Sequence, residues 1–323
     1  MTTSRQRRNS PQRQDVSPPR AEPAAESPDG LATKLGQWGA VIAPTTVATA
    51  MLLYFGYIAT RARFAYFGVY LDLTDLSSRD LVLHGIEVLY LPTAVLLFGV
   101  LLAVGVHLAA TWATSRLDAR RGVLVVAGLV LLTGAFLLAR AVLGLAVAHV
   151  SRDERPGSTA LALAAGPCLC AYACWLAARV SFRPGRPRSA LHTWYVAARR
   201  LRLTGLAATA GLALTGLFWA GTSFAWRLGE GRAYDDAVQL PARPEVIVDT
   251  PDRLTDLPPY VRETVLPADA GSRFQYRYRG LRLLIQAGGR LFLVPDHWTA
   301  DGRTLILPYD NSVRLQVIPR PAP

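Results

Sequence analysis

Residues 203–226 read LTGLAATAGLALTGLFWAGTSFAW, an apolar stretch without one charged side chain. As a helix, about 24 residues at roughly 1.5 Å each cross a hydrocarbon core of about 30 Å with room to tilt. Immediately before it Arg179, Arg183, Arg186, Arg188, Arg199, Arg200 and Arg202 follow one another with no acid between them. By the positive-inside rule such a run belongs in the cytoplasm. The tail from Arg227 to Pro323 is therefore expected outside, and this stretch divides a membrane region from an extracytoplasmic one.

Working outward, the 323 residues are 51% hydrophobic and 18% charged, a balance that fits several membrane spans better than two soluble domains. Four earlier apolar stretches have span length: 37–59, 88–112, 122–150 and 159–180. The fold class expected is an all-α membrane bundle of five transmembrane helices, N-terminus in and C-terminus out, followed by a small extracytoplasmic, mainly β domain. Three regions result: 1–34, a disordered cytoplasmic arm rich in Arg, Gln, Ser and Pro; 35–226, the five-helix region; and 227–323, the β-domain with a Pro-rich linker. Of the net charge of +12, the arm carries +2, the loop 113–121 another +2 and the loop 179–202 +7. The excess lies where topology wants it, so the composition implies a lipid bilayer, in a cell (plasma) membrane, and no nucleic-acid partner.

The tail carries β signals. Phe274, Tyr276 and Tyr278 alternate with polar residues, and beyond Gly280 the alternation resumes out of phase at Leu281, Leu283 and Ile285, as a bulge or turn would cause. Gly288-Gly289 is a two-residue hairpin signal, and Asp301-Gly302 and Asp310-Asn311 mark further turns. These predict a four-stranded meander, with one more strand at 245–249 inside a Pro-rich linker, 241–267. The tail has no cysteine, and it is expected to fold without disulfides, even when expressed alone.

Ionisable groups within spans are the default candidates for function, because each is costly unless paired or wetted. Glu87, His107, Arg140 and His149 qualify, and Glu87 with Arg140 forms the candidate intramembrane polar pair. Arg277, Arg279, Arg282 and Arg290 form a candidate outer basic patch. Cys168, Cys170 and Cys174 share one span without a His or carboxylate to complete a metal set, so they read as packing residues and no cofactor is expected. HExxH, GxSxG, the Walker A loop and GxGxxG do not occur, and Asp296-His297-Trp298 reads as a hairpin loop.

Between the first two spans lies Phe64-Ala-Tyr-Phe-Gly-Val-Tyr, then Ser77-Ser-Arg-Asp80, an aromatic glycine turn followed by a helix N-cap with an acid three residues on. The chain resembles uncharacterised multi-pass membrane proteins of actinobacteria, in which a YFG element precedes a Ser-x-x-Asp helix start after the first span. Tyr66-Phe67-Gly68 and Ser77 to Asp80 carry the match. The resemblance implies a bacterial cell membrane and no particular activity. The expected function is an envelope-facing interaction or sensing module, non-enzymatic, with an envelope or membrane-protein partner meeting the outer domain. A transporter or channel component is the rival, and a membrane-embedded enzyme ranks third.

Overall fold

The structure is a computed structural model, and it describes residues 28–116, 120–147, 157–181, 192–267, 272–299 and 301–319. The chain divides into two compact units, 1–48 and 49–323. In the first, the described residues 28–48 are helical and belong to α1, Pro28–Tyr66. Pro at a first helical position suits a helix start, so 28–34, read from sequence as part of the arm, are helix; 1–27 lie outside the described residues.

The second unit holds the remaining helices and the sheet. Helix α2 is Ser78–Arg116, α3 Arg120–Ala146, α4 Ser158–Ser181 and α5 His192–Gln239. Four helices are long and apolar enough to cross a membrane: Ser78–Ala113, Arg121–Ala146, Ser158–Arg179 and Arg202–Ala242. Where the helices meet, glycine lets backbones touch, the packing expected when lipid supplies no hydrophobic drive between helices. A Cβ on Gly56 of α1 would run into the Leu81 carbonyl of α2, and one on Gly85 into that of Leu52. Gly216 of α5 lies against Ala160 and Ala164 of α4.

Two boundaries depart from the sequence reading. Helix α5 runs on from Trp226 to Gln239, because this charged segment still places Ala233 and Leu240 against a core. The Pro-rich stretch is no free linker: after β1, Glu245–Thr250, its Leu254, Leu257 and Val261 pack on the sheet, and it supplies β2, Arg262–Val265.

The remaining strands are β3 Tyr276–Ala287, β4 Arg290–Pro295, β5 Leu305–Pro308 and β6 Arg314–Ile318. The sheet is antiparallel in the order β5-β4-β3-β1-β6, with β2 also on β3. Strands β3 to β5 form the expected meander, but β6 crosses the domain to pair with β1 instead of β5. There Arg314 stands directly opposite Asp249, a charge match that β5 does not offer. Gly280 at φ +82° makes the expected bulge, and a Cβ there would press on the Tyr260 carbonyl oxygen at 2.6 Å. A second bulge at Leu283/Ile285 turns Leu284 and Ile285 to the opposite face from Leu283.

The sheet consequently has two apolar faces. Val246, Val248, Tyr278, Leu281, Leu291 and Leu293 form the core within the domain. Phe292 and Val294 face the other way, onto the helix ends. This explains why β4 is buried along almost its whole length.

Candidate functional site

The site is the junction where the β-domain sits on the helices. Helix α1 ends at Tyr66, and Gly68 at φ +70° folds the chain back so that Phe64, Phe67, Val69 and Leu71 point into one cluster. Thr74 closes the short turn by donating its hydroxyl to the Leu71 carbonyl at 2.7 Å. Helix α2 then opens on the predicted cap: the Ser77 hydroxyl accepts from the Asp80 N–H at 3.3 Å and donates to the Asp80 carboxylate at 2.7 Å. Ala233 of α5, Leu240 in the short turn that follows it, and Phe292 and Val294 of β4 complete the cluster. Trp298 meets Phe67 edge to face with ring centroids 5.0 Å apart.

Polar contacts pin the same junction. The Thr304 hydroxyl donates to the Phe67 carbonyl at 2.6 Å, and Arg282 Nε donates to the Leu240 carbonyl at 3.1 Å. Asp236 of α5 holds Arg63 of α1 at 2.6 Å and also pairs with Arg243 just before β1. The hairpin glycine Gly288 packs so closely on Asp75 that a Cβ would meet its carboxylate at 2.6 Å. The YFG turn, singled out from sequence as a local motif, is thus the seat of a domain whose Thr304 contacts it from 237 residues downstream.

The candidate polar pair is not brought together. Glu87 bridges to Arg232 of α5 at 2.7 Å, because the extension of α5 beyond Trp226 carries that arginine alongside α2. Arg140 donates from Nη2 to the Ser158 hydroxyl at 3.3 Å, within the α3–α4 pair. His107 stacks against Trp175 at 4.8 Å, and Arg179 caps the same indole at 5.1 Å. His149 lies outside the described residues.

The candidate basic patch is dispersed as well. Arg277 spans to the Asp249 carboxylate with a two-pronged contact at 2.8 and 3.0 Å, Arg282 turns into the junction, and Arg279 stands exposed opposite Arg262. Arg290 is exposed beside the hairpin. Asp249 is the fully buried centre of an Arg277–Asp249–Arg314 row running across β3, β1 and β6. Burial pushes its carboxyl up, but the two guanidiniums outweigh it and hold the group below the usual carboxylate range. Next to it Tyr278 is fully buried; burial raises its hydroxyl, which accepts from the Leu254 N–H at 2.7 Å. These are structural arrangements, since every charged group in the row is consumed by another.

Three hollows flank the junction. One of about 310 Å³ lies between α1, the YFG turn and Trp226. Another, of about 440 Å³, lies between α1 and α5 around Trp219, Trp226 and Arg227. A third, of about 370 Å³, is lined by His84 and the paired groups Arg63, Glu87, Arg232 and Asp236. Among the described residues no group of three or more His, Cys, Asp or Glu side chains is placed to hold a metal ion. Comparison with family models, curated proteins and solved structures finds no match to this chain.

Proposed function

We propose that the chain is a five-span plasma-membrane protein, N-terminus in and C-terminus out, whose outer β-domain receives an envelope partner or signal and passes it to the helices. The Phe67–Trp298 junction carries this reading. The α1–α2 loop and the β-domain share this cluster, which supports an even number of crossings between them. Helices α2 to α5 supply four. On that count the helix ends carrying Arg116, Arg121, Arg179 and Arg202 fall on the other side, as the positive-inside rule expects.

The domain is not tethered by a loose linker. It contacts Phe67 just after α1, Asp75 just before α2 and Leu240 just after α5, so displacement of the sheet is resisted at three helix ends together. A transport path has less support: Arg140 bonds to Ser158, and His107 is covered by aromatic rings.

Membrane-impermeant thiol labelling of Tyr309→Cys in intact cells tests the reading, with Tyr309 exposed on the domain. Labelling without lysis is expected, and photo-crosslinkers at Val265 and Val317 should then yield one discrete adduct. Labelling only after lysis overturns the topology. Labelling without any adduct overturns the receiving role alone.

A further inference from the structure

We infer that the hollow between α1 and Trp226 binds the headgroup of an aminophospholipid, its phosphodiester on Arg61 and its ammonium on Asp72. The inference goes beyond the functional reading and rests on it only for the leaflet concerned. Tyr57 and Arg61 of α1, Tyr70 and Asp72 of the turn, and Trp226 of α5 line this space of about 310 Å³, within the range of small-ligand sites.

Charge points to the ligand. Several cations around the junction are neutralised, Arg63 and Arg243 by Asp236 and Arg232 by Glu87, while Arg227 lines the adjoining hollow together with Glu230. Arg61 and Asp72 line one hollow, yet among the described residues neither has an ion pair or a side-chain hydrogen bond. One free cation and one free anion separated across a shared space match a ligand that carries both charges apart from each other. A purely anionic headgroup would leave Asp72 as a repulsive neighbour, and a free anion would leave it idle.

Position and surroundings agree. Arg61 and Trp226 stand at the ends of the first and last apolar stretches, where headgroups lie, and Tyr and Trp are favoured at that level. The indole of Trp226 is held by its N–H donating to Glu230 at 2.7 Å, and an aromatic face near an ammonium adds cation–π attraction. On the far side of Trp226, the hollow of about 440 Å³ runs down α5 past Thr222 and Ser223. Both hydroxyls there donate to their own helix, at 3.0 and 3.1 Å, so the part of this hollow formed by Ile58, Trp219 and Trp226 can take an acyl chain, with Arg227 and Glu230 also in its lining.

The test uses the full chain in neutral detergent, titrated with phosphatidylethanolamine, phosphatidylglycerol or phosphatidylcholine of identical acyl chains and, separately, with soluble O-phosphoethanolamine. Thermal midpoint is the readout. Phosphatidylethanolamine should raise it at the lowest concentration. Asp72→Asn should abolish its advantage over phosphatidylglycerol, and Arg61→Gln should raise the half-saturating concentration of both by about tenfold, an affinity change readily resolved. Arg61→Lys should restore binding, and Arg290→Gln should leave it unchanged. Equal responses to the three lipids, a preference that survives Asp72→Asn, or an equal response to O-phosphoethanolamine alone would overturn the inference. Because sidedness does not enter this measurement, a failed thiol-labelling result leaves it standing and changes only the leaflet.

Discussion

The helical region and the β-domain are built by opposite rules. In the apolar window of α2 only 6% of the residues are buried within the chain, and Leu101, Phe98 and Leu132 of the helices are each about 70% exposed. In the sheet Tyr278, Leu281, Leu291, Phe292, Leu293 and Val294 are completely covered. The helices meet through glycine and alanine with backbones in contact, while the sheet is held by large side chains. Lipid is as apolar as leucine, so the helices gain nothing by hiding leucine from it; the domain faces water and must close a core. The two rules meet at the junction, where a water-type core of Phe67, Leu71, Phe292 and Val294 is assembled on helix ends.

The largest effect expected from breaking this contrast is at Phe292. Phe292→Ala removes a completely buried ring from the junction and should cost about 3–5 kcal/mol, the range for large-to-small changes in a packed core. The domain's inner cluster does not contain Phe292, so β-type circular dichroism should persist while limited proteolysis near Leu240 accelerates. Loss of the β signal at the same temperature as release from the helices would show that the two regions are a single cooperative unit.

Asp249 tests the domain alone. Asp249→Asn leaves Arg277 and Arg314 facing a neutral amide. Because both arginines still reach water, the cost should be about 2–3 kcal/mol, below the range for fully buried pairs. The folded carboxyl is held below its ordinary value, so its contribution is complete above the unfolded pKa of about 4 and is lost as pH falls through the lower folded pKa. Acid unfolding of the wild type should therefore steepen below pH of about 4, and the Asn variant should lack that component. A variant whose stability falls with acid in parallel with the wild type would show that the row contributes nothing.

Local spacing is what made parts of this structure readable. The helices, the Ser77–Asp80 cap and the Gly288–Gly289 hairpin each follow from neighbours within a few residues. The junction was not readable, because Phe67 and Trp298 are brought together only by the finished fold. The route of β6 and the Asp249 row were hidden for the same reason: pairing of distant strands leaves no periodic trace in either strand. The extension of α5 had a signal that its charge obscured. Leu228, Ala233, Ala237 and Leu240 recur at near-helical spacing between Arg227 and Ala242, and all four pack against neighbours. Of the candidate site residues, Glu87 and Arg140 were legible as costly groups, but the partners described for them lie on an unread helix extension and at the start of α4.

The helical rule is tested next by Gly56→Ala. The added methyl would strike the Leu81 backbone carbonyl, which no rotamer change can relieve, so α1 and α2 must separate. A loss of about 1–3 kcal/mol is expected, as for other overpacked sites. Gly211→Ala is the control, since a Cβ there meets nothing within 4 Å and should stabilise the helix slightly. Thermal unfolding in one detergent compares them, and equal behaviour would mean that the α1–α2 contact is not tight.

The smallest effect is expected at Glu87, and it decides how polar groups at the membrane border are satisfied. Its side chain is 59% exposed and that of Arg232 33%, so water competes for both charges, and Glu87→Gln should cost less than about 1 kcal/mol. Arg232→Gln should cost a similar amount, and the double variant less than the sum, because each single change removes the same contact. Arg140→Gln is the contrasting case. Its bond to Ser158 ties α3 to α4, whereas Glu87 pairs with Arg232 of α5, so combining it with Glu87→Gln should give additive losses within about 0.5 kcal/mol. Coupling between Glu87 and Arg140 larger than that would require α2 and α3 to approach at these residues and would overturn the assignment of Glu87 to α5. Thermal midpoints of the three single and two double variants, measured in low salt and again at about 0.5 M, separate the cases, because only an exposed ion pair weakens with screening.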